Sequence, residues 1–154
     1  MDPHWGAVSG AVLAVPSYVS ADLTNDLSVA NTTQTFVVFN RENVDLLDEY
    51  DPTTGVFKAA RGGIYSVTAS VRWKNVNIGK SYFAYLVSTT ETYYFLHNAS
   101  GSASDFTVPI AANVYLEAGQ GLRIRVYQGS GETEVVAGSS TTVTFLRIAR
   151  IAAL

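Results

Sequence analysis

The sequence contains no cysteine. Disulfides, thiolate nucleophiles, Cys-ligated zinc and iron–sulfur clusters are therefore excluded, and the fold is held by packing and hydrogen bonds alone. Charge is scarce as well: 15% of the residues are charged, against roughly 25% in ordinary soluble domains. Ten Lys and Arg stand against 13 Asp and Glu, a formal net charge of −3. A nucleic-acid partner is not expected from that balance, because such binding is driven by clustered positive charge that releases phosphate counterions. There are two histidines, His4 and His97; a His-ligated metal site or a Ser-His-Asp triad lacks parts unless both converge. Long apolar runs are also missing. The nearest, Ala7 to Val19, is broken by Ser9, Gly10, Pro16 and Ser17, short of the roughly 18 to 20 residues a membrane-spanning helix needs. Its flank holds Asp2 and His4, where a signal peptide carries positive charge. Membrane insertion is not expected, and the run reads as the first buried strand.

What is present points to strands. The 154 residues are 47% hydrophobic and 12% aromatic, enough for one sizeable core and too short for a second independent domain. The excess of apolar over charged residues implies that some apolar surface is covered by another subunit. Nineteen Val and 15 Thr are the β-branched types that suit a pleated, half-buried surface. From Ile64 to Trp73 the chain alternates, with Tyr65, Val67, Ala69, Val71 and Trp73 on one face and Ser66, Thr68, Ser70 and Arg72 on the other. The same period of two recurs over Lys80–Ser88, Glu91–His97, Phe106–Leu116, Leu122–Gln128 and Thr141–Ile151, each bounded by turn formers. With Gly10–Val19, Thr35–Asn40 and short pieces near Val44–Leu47 and Val56–Lys58, this predicts about eight to ten short strands, hence an all-β sandwich or jelly roll. Asp51-Pro52-Thr53-Thr54-Gly55 meets the backbone demands of a turn. The other glycine clusters read likewise as turns, since no helix follows whose N-terminus could hold an anion.

The final strand breaks the pattern. One parity carries Val143, Phe145, Arg147, Ala149 and Ile151, the other Thr144, Leu146, Ile148 and Arg150. Both faces are substantially apolar, and a strand covered on both sides in a two-layer fold needs a neighbouring subunit as well as the partner sheet. Leu146 and Ile148, with Tyr115 of an earlier strand, are therefore expected at an intersubunit interface.

Phe39, Asp45, Tyr50, Phe57, Gly63 and Tyr65 are separated by five, four, six, five and one residues. This spacing resembles the signature of the C1q domain, the globular head of the C1q and tumour necrosis factor superfamily. Val114-Tyr115-Leu116-Glu117-Ala118-Gly119-Gln120 is similar to a strand and turn of that family, with Gln120 where Asp is usual. The chain departs at Val67 and Ala69, where the family carries larger aromatics, and at Phe145, where a glycine is typical. The resemblance spans roughly residues 10 to 151. It implies a ten-stranded antiparallel jelly roll that assembles as a compact homotrimer through its inner sheet. Residues 1–9 are then an N-terminal tail or attachment segment and residues 10–154 the C1q-like domain. No Gly-X-Y repeat is present, so a collagen-like stalk is not part of the sequence. The lack of cysteine, the initial Met and the lack of a signal peptide point to a bacterial or phage homologue.

Catalysis finds little support in these residues, and a non-enzymatic module is expected. Glu42, Asp45, Asp48, Glu49 and Asp51 form an acidic cluster that could hold calcium, with Asp48 and Glu49 as the candidate ligands, or pair for glycoside hydrolysis. Asp45 and Asp51 already have structural explanations in the signature and the turn, and otherwise no cofactor is expected. His97 reads as a strand-end residue. In Leu122–Gln128 the core parity takes Leu122, Ile124 and Val126, turning Arg123, Arg125 and Tyr127 outward. Arg with an aromatic is the composition of binding hot spots; cross-strand pairing of the arginines with Glu91 or Glu132 is the bland alternative. Asn31-Thr32-Thr33 and Asn98-Ala99-Ser100 are glycosylation sequons by pattern, meaningful only in a eukaryotic secretory setting. Two functions follow: a trimeric recognition head, at the tip of a stalk or fibre on a cell, spore or virion surface, that binds a cell-surface protein or glycan; or a structural decoration or trimerisation module of a spore coat, phage fibre or capsid.

Overall fold

The computed structural model describes residues 14–101 and 104–154, and among them every regular element is a strand. In chain order these are β1 (Tyr18–Asp22), β2 (Leu27–Val29), β3 (Thr35–Val37), β4 (Arg41–Asp45), β5 (Tyr50–Asp51), β6 (Val56–Lys58), β7 (Gly63–Lys74), β8 (Ser81–Ser88), β9 (Thr92–Asn98), β10 (Phe106–Leu116), β11 (Gly121–Gln128), β12 (Glu134–Val136) and β13 (Phe145–Ala153). They form two antiparallel sheets. The inner one runs β2-β12-β7-β13-β1-β4, with β10 also paired to β7; the outer one runs β5-β6-β11-β8-β9, with β3 also paired to β11. Strand jumps across and between the sheets give the jelly roll that the resemblance implies.

Alternation decides what is buried. Tyr65, Val67, Ala69, Val71 and Trp73 of β7 face inward and meet Leu122, Ile124 and Val126 of β11 and Tyr82, Ala84 and Leu86 of β8, all buried. Aromatic pairs fill the widest spaces: Phe57 meets Tyr65 edge-on at 5.4 Å between centroids, and Trp73 lies 5.1 Å from Tyr82. Such tilted and edge-to-face pairs add to simple area burial.

Each signature residue has a physical task. Phe39 is buried in the core and its carbonyl accepts a 3.0 Å hydrogen bond from the Tyr50 hydroxyl. Asp45 accepts from the Tyr50 backbone N–H at 2.7 Å, which ties the β4–β5 loop. Gly63 admits no side chain, because a Cβ there would collide with the Ala152 carbonyl and the Arg150 side chain.

The expected interface residues need correction. Leu146 and Ile148 are 0% and 1% exposed and point into the sandwich. Leu146 stands opposite Ala21 and Ala69, and Ile148 opposite Val19 and Val67; all four partners are core residues, and directly paired residues share a face. Each parity of β13 carries one arginine, so charge could not tell the faces apart; the register against β1 and β7 does. Phe145, Arg147 and Ala149 take the outward face instead.

The N-terminal strand is also shifted. It begins at Tyr18, beyond the exposed Val15 and Pro16, and Pro16 cannot donate to a ladder. Residues 10–13 of the expected strand lie outside the described residues. The short β2, β5 and β12 were not legible as alternating runs, having only two or three residues each.

Candidate functional site

β11 is the organising strand of the outer sheet. Because Leu122, Ile124 and Val126 are buried, Arg123, Arg125 and Tyr127 turn to solvent as the alternation predicts. Directly opposite them on β8 stand Val87, Tyr85 and Phe83. Beyond, β9 places Tyr94 opposite Tyr85 and Leu96 opposite Phe83, while β3 places Phe36 opposite Arg125. The solvent side of this sheet is thus an aromatic surface threaded by two arginines.

The contacts are specific. The Arg123 guanidinium carbon lies 3.2 Å from the Phe36 ring centroid, and that of Arg125 lies 4.7 Å from the Tyr85 centroid. Both are cation–π arrangements. Phe83 stacks on Tyr85 at 6.1 Å, meets Tyr127 edge-on at 5.8 Å, and Tyr85 approaches Tyr94 at 6.4 Å. Tyr94 remains 68% exposed.

Neither arginine finds a carboxylate. The ion pairs among the described residues join Asp22 to Arg41 and Arg147, Asp105 to Arg72, and Asp26 to Lys74. Glu91 instead accepts from the Tyr93 hydroxyl and Glu132 from the Asn77 side-chain amide. Cross-strand pairing with Glu91 or Glu132 is therefore replaced by stacking on rings. Phe36, Phe83, Tyr85 and Tyr94 belong to this surface but were not singled out from the sequence. The signal was available in the alternation of β8, where Phe83 and Tyr85 fall opposite in parity to Tyr82, Ala84 and Leu86.

Arg123 also borders the acidic end of the molecule. A hollow of about 660 Å³ runs from Asp48, Asp51 and Pro52 past Lys58 to Arg123, and one of about 430 Å³ lies on its far side, toward Val87 and Gly119. The acids there are held by their own chain. Glu49 is buried, and its carboxylate accepts from the Ser17 hydroxyl and, at 2.8 Å, from the Ala60 N–H. Asp51 accepts from the Thr53 hydroxyl and N–H at 2.6 and 2.8 Å, bonds that hold its carboxyl below the usual range. Burial, with the charges of Asp45 and Asp48, pushes Glu42 up. Both Glu49 oxygens accept from donors of the chain itself, and the described residues contain no group of three or more His, Cys, Asp or Glu placed to hold a metal, so the geometry does not bring Asp48 and Glu49 together as the calcium ligands expected from the sequence. His97 is exposed at the end of β9 and stacks on Phe106 with centroids 4.0 Å apart. His4 lies outside the described residues.

The outward side of the inner sheet has a different character. Tyr115 is 44% exposed, as its parity opposite the buried Val114 and Leu116 predicts, and Ile151 is 56% exposed. Tyr18 stands opposite Ala149, and Tyr115 opposite Ile64. By register Tyr18, Ala149, Ile64 and Tyr115 form an apolar strip toward one end of the sheet, and Ile151 falls next to it in the bulge of β13 between Arg150 and Ala152. No described helix is long and apolar enough to cross a membrane.

No curated protein matches the chain. Among solved structures it is similar to the globular domain of zebrafish complement 1qA protein, at 15% identity and TM-score 0.60, covering 86% of this chain and 94% of that one. It is similar to Eiger TNF from S. frugiperda, at 12% identity and TM-score 0.67, covering 91% and 95%. Murine APRIL matches at 12% identity and TM-score 0.63, covering 88% and 99%. At such identities these likenesses establish the jelly-roll fold. The model of the C1q domain matches residues 19–145, a span that holds all six signature residues and most of both sheets, and the chain therefore belongs to the C1q domain family.

Proposed function

We propose that this chain is a non-enzymatic, homotrimeric recognition head that displays the outward face of β11, β8 and β9 to a cell-surface protein or glycan. It works outside the cell or on the surface of a cell, spore or virion, carried on a stalk or fibre. The observation that carries this reading is the pair Arg123 and Arg125, stacked on aromatic rings with no carboxylate partner among the described residues. Exposed Arg and Tyr are the residue types that dominate binding energy at interfaces. Trimerisation is what membership of the C1q family implies, and the apolar strip of Tyr18, Tyr115, Ala149 and Ile151 on the inner sheet supports it. Three identical outer faces would then gain avidity from one assembly.

The test has two parts. Light scattering should give three times the 16.5 kDa chain mass, and the trimer should bind a glycan array or intact cells through Arg123, Arg125 and Tyr127. A monomer sinks the assembly. A trimer that binds neither supports the alternative, a structural module of a coat, fibre or capsid.

A further inference from the structure

Among the described residues, the outward face of β11 carries two arginines with no carboxylate partner. Of the outer-sheet strands only β5 holds an acid, Asp51, whose carboxylate is taken up by Thr53, while β6 and β11 hold Lys58, Arg123 and Arg125 in a protein of formal net charge −3. The Arg125 Nε is buried without a hydrogen-bond partner among the described residues. A guanidinium partly withdrawn from water and lacking a counter-ion gains strongly from an incoming carboxylate, which it can grip with two parallel N–H bonds.

We propose that this face binds an extended acidic segment of a partner protein, with carboxylates two residues apart seated on Arg123 and Arg125. The assignment rests on the recognition reading above and names its ligand. Arg123 and Arg125 project from the same side of one strand, so their Cα atoms are about 7 Å apart, two rises of an antiparallel strand. An extended segment repeats its same-face side chains at that distance. Tyr94 and Leu96, both exposed, remain for apolar side chains of the same partner.

Other anions fit less well. Sugar rings bind aromatic side chains face to face, and here Phe36 is occupied by Arg123 and Tyr85 is shared between Arg125 and Phe83, which leaves Tyr94 as the broadly exposed ring, beyond the arginines on β9. Nucleic acid gains affinity from many phosphate contacts, and the three cations of these strands supply few. The flanking hollows lie beside Arg123 and along β9 at Tyr93–Phe95, and not beneath the rings that hold the arginines, so among the described residues the stacked surface is an open platform.

The full chain would be applied to arrays of short peptides with Glu at alternate positions, to matched peptides with Gln in those places, and to sialylated and sulfated oligosaccharides. The Glu peptides should be retained, the Gln peptides should not, and retention should fall as salt rises. Arg123→Gln and Arg125→Gln should each weaken retention about tenfold or more, and Arg125→Lys, which keeps charge without the fork, should recover only part of it. If either Gln variant unfolds, Tyr94→Glu tests the same face, since added negative charge there must abolish retention of the acidic peptides. Arginine-dependent binding of the oligosaccharides in place of the peptides overturns the protein-segment assignment and leaves the recognition reading standing. Binding of nothing, or equal binding by the variants, overturns the acidic-segment assignment, and the recognition reading is then decided by the intact-cell and glycan-array test.

Discussion

Asp22 and Arg147 are joined across the β1–β13 ladder by a 3.0 Å hydrogen-bonded ion pair. The other carboxylate oxygen accepts from Arg41 at 2.9 Å and from the Asn43 amide at 2.6 Å. Three strands, β1, β4 and β13, are pinned at this one nearly buried carboxylate. Such a group is worth more as a broken pair than as a formed one, because its loss leaves two arginines facing a neutral hole.

Acid should therefore loosen the inner sheet through Asp22. Burial by itself would raise this carboxyl, but hydrogen bonds from Arg41, Asn43 and Arg147, with the Arg147 charge, outweigh it and hold the pKa below the usual value. A folded-state pKa below the unfolded one gives stability that is full above the unfolded value, about 3.9, and is lost as pH falls through the folded one. Asp22→Asn should cost on the order of 2 kcal/mol at neutral pH. Denaturant titrations of both proteins between pH 7 and 2 should show that gap narrowing below about pH 4; a gap independent of pH would contradict the assignment.

Alkali should act through Tyr82. Burial, the hydrogen bond its hydroxyl donates to Glu134 at 3.0 Å and the nearby Glu134 and Glu132 charges push its pKa up to about 12, against the opposing hydrogen bond from the Asn77 N–H. Here the protonated phenol is the form the fold favours. Stability is complete below the unfolded value near 10 and declines as pH climbs toward the folded one. Ultraviolet titration of wild type against Tyr82→Phe should remove one late-ionising phenol, and its persistence in the variant would assign that step elsewhere.

Removing the ring of Phe57 tests the core. It is fully buried against Tyr65, and Phe57→Ala should cost about 3 to 5 kcal/mol through lost burial and an unfilled cavity. A near-neutral urea midpoint would mean that this part of the sandwich is not packed as described.

Charge on β13 should have opposite effects at neighbouring positions. Leu146→Asp places an unpaired carboxylate in the core and should prevent folding, whereas Ile151→Asp and Tyr115→Asp alter exposed residues and should leave the monomer folded. In light scattering the last two should shift the mass from trimer toward monomer. Folded trimers from both would exclude this strip from the interface.

Alternation in β7, β10 and β11 was strong enough to place Tyr65, Val67, Leu116, Ile124 and Val126 in the core, and Phe39 and Phe57 of the signature join them there, all buried. It failed where two parities are chemically alike. In β13 each side carries aliphatics and one arginine, and only pairing partners far away in the chain decide which side faces in. The outward direction of Arg123, Arg125 and Tyr127 was legible, but the rings beneath the guanidiniums come from two other strands, β3 and β8, and a linear pattern does not say which will be neighbours. Glu49 illustrates the same limit: beside Asp48 it reads as a ligand, and its partners Ser17 and Ala60 lie 32 and 11 residues away.

The position of β13 between β1 and β7 sets an order on folding. Residues 18–22 gain this partner only when residues 145–153 arrive, so the first strand of the inner sheet waits on the last. Almost the whole sequence must be in place before that ladder can close, and the local pairing that can precede it is confined to hairpins such as β5–β6 and β8–β9. High contact order of this kind slows refolding into the range of milliseconds to seconds. A chain shortened before residue 145 should lose β1 and β4 from the inner sheet as well as its final strand, because both would then be severed from β7.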